Sequence, residues 1–269
     1  MRQARRLVPR GMIRFKSLGS GSSGNATVIQ ARGGASLTHL LVDCGLGIRE
    51  LDKRLAAAGM MADQVDAIFI THEHGDHIGC ARQLAVRERI PVYMSEGTYA
   101  AIGQPDFGGM LRLACDGAAI DLGGLEVRPF TVPHDAREPL QLTCHDGDTR
   151  LGVLTDLGHV TAHVEQALAG CATLLLECNH DEAMLRASTY PPFLKRRVGG
   201  AYGHLANSAA AALAQSLLAA GRLRQVVAAH LSEQNNTPEL ARTALQQAIG
   251  GAAEIHVADG RSGSGWLSA

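Results

Sequence analysis

The chain has 269 residues, 46% of them hydrophobic, with 25 Lys and Arg against 26 Asp and Glu and a formal net charge of -1. That length means one large domain or two small ones around a sizeable core, and the balanced charge excludes a whole-surface positive field for gripping long nucleic acid, so any such contact is local. Aromatics at 4% and charged residues at 19%, beside 31 glycines, exclude disorder, a coiled coil and a broad stacking platform, and predict many tight turns.

The sequence opens on a basic stretch, MRQARRLVPRGM, that no apolar run follows as a signal peptide requires. Residues 1–12 are expected to be a flexible arm and residues 13–269 a single domain, since strand-like sequence begins at Ile13. Short apolar runs rich in β-branched residues predict strands over 26–29, 39–42, 67–70, 91–94, 125–130, 151–154, 173–176 and 225–228. Ala- and Leu-rich stretches with helical spacing lie between several of them, over 48–58, 79–87, 208–220 and 239–249, the last opened by Thr237-Pro238-Glu239 as cap and first turn. Glycines at 123–124 and 147 separate strand pairs with no helix between them. The expected α/β fold therefore has two mixed sheets with helices outside. The least regular part, 181–203, contains Lys195-Arg196-Arg197 and reads as a surface insert. Six scattered cysteines without a C-x-x-C pair read as reduced thiols. No run nears the roughly 18 apolar residues of a membrane span, so the expectation is a cytoplasmic protein with no membrane contact.

The predicted strand at 67–70 runs into Thr71-His72-Glu73-His74-Gly75-Asp76-His77, crowding three imidazoles and a carboxylate at the end of a buried strand. As cations these imidazoles would repel and lose hydration, so the pattern points to shared metal. In a turn, alternate residues face one side, which lets His72 and His74 hold one ion while Asp76 and His77 face a second. Two ions roughly 3.5 to 4 Å apart call for a shared carboxylate. His134, Asp156 and His230 stand just after the predicted strands at 125–130, 151–154 and 225–228 and are candidate further ligands. The Ser/Gly run over 17–25 lacks the lysine of a nucleotide P-loop and reads as a tight strand connection. His39, His145, His159, His163 and His256 follow no ligand pattern.

HxHxDH followed in order by His134, Asp156 and His230 resembles the metallo-β-lactamase superfamily over nearly the whole chain. Val42-Asp43-Cys44-Gly45 resembles that family's strand-end Asp, which supports the metal site from behind. Within the superfamily the YycJ/WalJ-like exonuclease branch is the one resembled. The residues that carry this are 17–25 (SLGSGSSGN), Ser95-Glu96-Gly97-Thr98, Pro133-His134-Asp135-Ala136, Glu177-Cys178-Asn179-His180-Asp181, Gly203-His204-Leu205-Ala206-Asn207 and 230–236 (HLSEQNN).

The resemblance implies an αββα sandwich, a first divalent ion on His72, His74 and His134, a second on Asp76, His77 and His230, and Asp156 bridging. Zn and Mn both suit this ligand mixture. It also implies a metal-bridging hydroxide as nucleophile and 5′-directed exonuclease action on DNA, with RNA as the second polymer. Glu177 and His204 resemble the pair that RNase Z-type nucleases place beside the two metals, the carboxylate orienting the imidazole and the imidazole protonating the leaving oxygen. A His titrating near neutral pH suits that task. Asp76, Glu177 and His204 are thus the candidate catalytic residues, and His180, Ser232 and Asn235 the candidate substrate contacts.

Two other readings remain open, as does the oligomeric state. A glyoxalase II-like thioester hydrolase would use the same metals, but it leaves Glu177 and His204 without a task, and the 39 residues after His230 hardly hold its separate substrate domain. A metal-stabilised regulatory module without turnover sits poorly with ligands intact at every expected position.

Overall fold

The computed structural model describes residues 13–33 and 36–269, and the arm expected over 1–12 lies outside the described residues. The first part of the chain builds β1 (Ile13–Gly19), β2 (Ala26–Gly33), β3 (Ser36–Val42), β4 (Ala67–Phe69), β5 (Val92–Met94) and β6 (Leu111–Leu113). Next come β7 (Ile120–Asp121), β8 (Glu126–Thr131), β9 (Leu140–His145), β10 (Arg150–Leu154), β11 (Thr173–Glu177), β12 (Gln225–Ala229) and β13 (Glu254–Val257). Finally β14 (Leu267–Ser268) returns to pair antiparallel with β1. Among the described residues these form two seven-stranded sheets, β14-β1-β2-β3-β4-β5-β6 and β13-β12-β11-β10-β9-β8-β7. Both sheets are mixed, as expected: β3 to β6 and β10 to β13 run parallel, and the hairpins β7-β8 and β9-β10 turn at the glycines the sequence marked.

The helices are α1 (Ile48–Ala57), α2 (Gly75–Ile78), α3 (Ala81–Glu88), α4 (Glu96–Ala101), α5 (Ala162–Leu168), α6 (Glu182–Ala187), α7 (Pro192–Val198), α8 (Asn207–Ala219) and α9 (Pro238–Ile249). Three apolar layers hold them. Leu51, Leu55 and Leu84 pack α1 and α3 on the outside of the first sheet. Val164, Leu213, Leu217 and Leu245 do the same for α5, α8 and α9 on the second. Between the sheets lie Phe15, Ile29, Leu40, Phe69, Leu142, Val153, Leu175 and Val227. The alternation of a strand explains why β11 and β12 read as unbroken apolar runs: Leu174, Leu176 and Val226 face the helices while Leu175 and Val227 face the other sheet. Among the described residues no helix is long and apolar enough to cross a membrane.

Two expectations about these elements need correction. The helix expected over 79–87 begins at Ala81, because Gly79, at φ 25, ends α2 and packs where a Cβ would lie 2.4 Å from the Cys44 carbonyl. The segment 181–203 is not irregular. Asp181 caps α6 by accepting from Met184 N at 2.8 Å, and Pro192 opens α7 at a position where a missing N–H costs nothing. Strands β6, β7, β13 and β14 escape a hydrophobic-run reading because they are short or half exposed and exist through pairing with a neighbour.

The parallel strands β3, β4, β10, β11 and β12 direct their carboxyl ends to one rim, where Asp43, the 71–77 turn, Asp156, Glu177 and His230 follow. Asp43, Asp156 and His230 leave their strands in the left-handed region, at φ 61, 73 and 54. Few L-residues adopt that conformation without a cost of roughly 1–2 kcal/mol. It reverses the chain immediately after a buried strand, where these three side chains meet the rest of the cluster.

Candidate metal centre

The candidate ligands at 72–77 stand on a helical turn and the bend before it, not on an extended turn with alternating faces: His74 is the N-cap residue of α2, and Asp76 and His77 lie inside it. His72 Nε2 lies 3.0 Å from His74 Nδ1, and His134 Nε2 lies 3.3 Å from the same atom. His134 donates from Nδ1 to the Gly203 carbonyl at 2.9 Å, which leaves its Nε2 with a lone pair aimed at the other two rings. A second group joins Asp76, His77 and His230, with Asp76 Oδ2 at 3.6 Å from both His77 Nε2 and His230 Nε2. Asp156 stands between them. It forms a ligand-spaced cluster with His72 and His77, its Oδ2 lies 3.1 Å from His77 Nε2, and its Oδ1 lies 3.3 Å from His230 Nδ1.

Two atoms test whether this set fits a divalent ion. Asp156 Oδ2 and His230 Nε2 are both buried without a partner in hydrogen-bond geometry, an arrangement that costs several kcal/mol unless a cation fills the gap. Imidazole nitrogens and carboxylate oxygens in groups of three or four match what such cations take. His77, whose Nδ1 lies 2.8 Å from Asp43 Oδ2, is held by a carboxylate as a metal-bound imidazole commonly is.

Glu177, fully buried at the end of β11, accepts four hydrogen bonds. Its Oε2 takes the backbone N–H of Leu157 at 2.9 Å and of Leu205 at 3.1 Å, and its Oε1 takes His204 Nδ1 at 2.8 Å and His230 Nδ1 at 3.1 Å. One carboxylate oxygen therefore orients both the candidate proton donor and a candidate ligand. The His204 ring sits between the two groups, 5.3 Å from the His134 ring and 5.4 Å from the His230 ring.

Residues 38–230 match the family model of the beta-lactamase superfamily domain. The chain belongs to the metallo-β-lactamase superfamily. It is 34% identical over 258 residues to the exodeoxyribonuclease YycJ of Bacillus anthracis, covering 92% of this chain and 96% of that one. To the exodeoxyribonuclease WalJ of Streptococcus pneumoniae serotype 2 it is 31% identical over 239 residues, 87% of each chain. The metallo-β-lactamase-fold protein YhfI of Bacillus subtilis shares its fold with a TM-score of 0.75 over 96% of this chain and 100% of that one, at 16% identity. The chain is thus a YycJ-like metallo-β-lactamase-fold protein and a metal-dependent hydrolase.

Charge divides the site of this hydrolase. Burial, reinforced by the neighbouring His77, holds His72 well below the usual imidazole range, and burial also lowers His134 against the pull of Asp156. Both keep ligand lone pairs at neutral pH. At His77 burial opposes protonation, but Asp156 and Asp43 prevail and raise it well above the ordinary value. His230 rises to about 9, burial again being outweighed, by Asp156, Asp76 and Glu177. At His204 burial opposes a rise that the Glu177 and Asp156 carboxylates impose, well above 6.5.

His180 is buried, bridges backbone to Ala206, and keeps its Nδ1 without a hydrogen-bond partner. The Ser232 hydroxyl accepts Asn235 N and Nδ2 at 3.2 Å each, while Asn235 Oδ1 is buried without a partner, and among the described residues no hydrogen bond joins the pair to the candidate ligands. Sequence reasoning missed Ser20 and Asn25. Ser20 Oγ accepts His230 N at 2.7 Å, and Asn25 Nδ2 reaches Asp76 Oδ2 at 3.4 Å and His77 Nε2 at 3.0 Å. The Ser/Gly run is a strand connection that also buttresses the Asp76, His77 and His230 side of the site. Its closeness to a site 51 to 210 residues away has no local signal beyond the run itself.

Proposed function

We propose that this hydrolase cleaves nucleic-acid phosphodiesters as an exonuclease, taking DNA from the 5′ end with RNA as the second substrate. His72, His74 and His134 would hold one divalent ion and Asp76, His77 and His230 a second, with Asp156 available to both and Zn or Mn suiting the donor set. Such ions supply positive charge against the phosphate and a nucleophilic water near neutral pH. The chain's own contribution to bond cleavage lies in Glu177 and His204. Glu177 fixes the His204 proton on Nδ1 and favours the imidazolium, so that Nε2 carries the proton passed to the leaving oxygen. An alkoxide leaving group needs that acid, whereas a thiolate does not.

The observation that carries this reading is the Glu177 carboxylate shared between His204 and His230, which couples an acid to the ligand set. Two relatives named exodeoxyribonucleases, aligned over most of their length, support the polymer, and the 5′ direction follows from the branch the motifs resemble. The test is to incubate metal-loaded protein with end-labelled DNA, labelled RNA and a thioester, with and without chelator. Chelator-sensitive release of mononucleotides from the 5′ end of DNA is expected. Thioester turnover without DNA cleavage, or no turnover of any of the three, would overturn the proposal.

A further inference from the structure

The sequence excludes a broad stacking platform, which makes the placement of the few exposed aromatics informative. Among the described residues the exposed large hydrophobic side chains include two aromatics, Phe193 at 65% and Tyr202 at 63% exposure. Both fall in the segment that folds onto the metal centre. Gly203, next to Tyr202, gives its carbonyl to His134 Nδ1 at 2.9 Å, and the Val198 carbonyl at the end of α7 accepts His204 N at 2.8 Å. Arg197 Nε lies 2.6 Å from Asp135 Oδ2, and Asp135 Oδ1 lies 3.4 Å from His134 Nε2.

On α7 the positions three and four residues after Phe193 are Arg196 and Arg197, so aromatic ring and guanidinium groups share one helix face. Arg196 is exposed and, among the described residues, makes no ion pair or side-chain hydrogen bond. Lys195, by contrast, is tied to the Arg186 carbonyl at 2.6 Å. In a chain with net charge -1 this is a local cationic and aromatic rim against the site, the pairing by which proteins hold unpaired nucleotides: stacking on rings, phosphates on arginines.

We infer that α7 and the 199–204 connection form the surface that takes unpaired nucleotides of the substrate strand beside the scissile phosphate, Phe193 and Tyr202 stacking on bases and Arg196 and Arg197 holding phosphates. This rests on the nuclease reading above. All but Arg197 stand clear of the ion pairs at the site, so Phe193→Ala, Tyr202→Ala and Arg196→Ala are made in the full chain, with Leu113→Ala, an exposed apolar residue on β6, as control.

Binding is read by anisotropy of a fluorescein-labelled single-stranded phosphorothioate oligonucleotide, and turnover as the ratio of kcat/KM for DNA to kcat/KM for bis(4-nitrophenyl) phosphate. Each aromatic variant is expected to raise Kd about fivefold or more, the loss of one base stack, and to lower the ratio similarly. Arg196→Ala is expected to reduce the slope of log Kd against log salt by about 0.7. Leu113→Ala should leave both unchanged, and a blunt duplex should bind less tightly than the single strand. If the wild-type protein cuts DNA while all three variants bind within twofold of it, the inference is wrong and the nuclease reading stands. If the wild-type protein neither binds nor cuts any polymer, both fall together.

Discussion

Replacing Glu177 by Gln keeps the shape of a fully buried side chain and removes its charge. The carboxylate accepts two backbone N–H groups on Oε2 and two imidazole N–H groups on Oε1, whereas an amide offers one acceptor oxygen. With that oxygen turned to the backbone, the amide N–H₂ faces His204 and His230, and both rings must move their protons to Nε2. His230 then presents a proton where a ligand lone pair is needed, and His204 loses the carboxylate that favours its imidazolium. Two charge-assisted hydrogen bonds of about 1.5 to 3 kcal/mol each are lost, which amounts to about 3 to 6 kcal/mol spread over stability, ion binding and the reaction barrier.

The E177Q protein should accordingly bind the ion held by Asp76, His77 and His230 about 10- to 100-fold more weakly, with the His72, His74 and His134 site little changed. At saturating metal its rate on DNA should fall by about 10²- to 10⁴-fold. The acid form of His204, held to high pH in the wild type by Glu177 and Asp156 against the effect of burial, should be lost at lower pH in the variant, moving the alkaline limb of the rate profile down. Competition with a chromophoric chelator reads the two affinities, and kcat against pH on DNA and on a nitrophenyl diester reads the acid. Wild-type rate, an unmoved alkaline limb and two intact affinities would refute the argument from the shared carboxylate.

His204→Ala should keep its metal and fold yet lose about 10²- to 10⁴-fold on DNA and far less on a nitrophenyl diester, whose leaving group needs no proton; equal losses on both would end the acid role. Asp156→Ala should abolish hydrolysis and drop the ion content from two to at most one per chain by elemental analysis, while His134→Ala weakens the first ion alone; if both variants keep wild-type content and rate, the shared ligand is misassigned. In the metal-free protein the imidazoles of His77 and His230, raised by carboxylates in spite of burial, the latter to about 9, carry protons at pH 7 that an ion must displace. Apparent ion affinity should therefore climb with pH until about 9 and fall in acid. Calorimetry in buffers of different ionisation heat should show proton release on binding, and its absence would contradict this charge division.

The clustering of the candidate ligands was legible because the chemistry is dense. Three imidazoles and a carboxylate within six residues after an apolar strand have few bland explanations, and His134, Asp156 and His230 repeat the strand-end placement. The two-sheet sandwich was legible through the apolar runs of β10, β11 and β12, which both faces bury. What the sequence concealed follows from distance and backbone. Ser20 and Asn25 act through hydrogen bonds to residues far along the chain, and nothing in Asp43, Asp156 or His230 announces a left-handed φ. Short helices also hide: Thr161 and Asp181 are good caps, yet the six or seven residues that follow give too little periodicity to read. Glu73, which looks like one more ligand in the row, instead accepts Arg137 N at 2.7 Å and Thr98 Oγ1 at 3.3 Å, so its side chain braces a loop.

Each group of three draws on both sheets. His72 and His74 follow β4 while His134 follows β8, and Asp76 and His77 lie on α2 while His230 follows β12. Ions held there would add clasps between two halves of the chain that already meet at this rim through hydrogen bonds, such as His230 N to Ser20 Oγ at 2.7 Å and Leu140 N to the Thr71 carbonyl at 2.9 Å. A free ion at about a thousand times its Kd adds about 4 kcal/mol to the closed form, comparable to the whole margin of stability of many domains. Removal of divalent ions should therefore loosen this edge of the sandwich first, read as faster limited proteolysis with chelator than without.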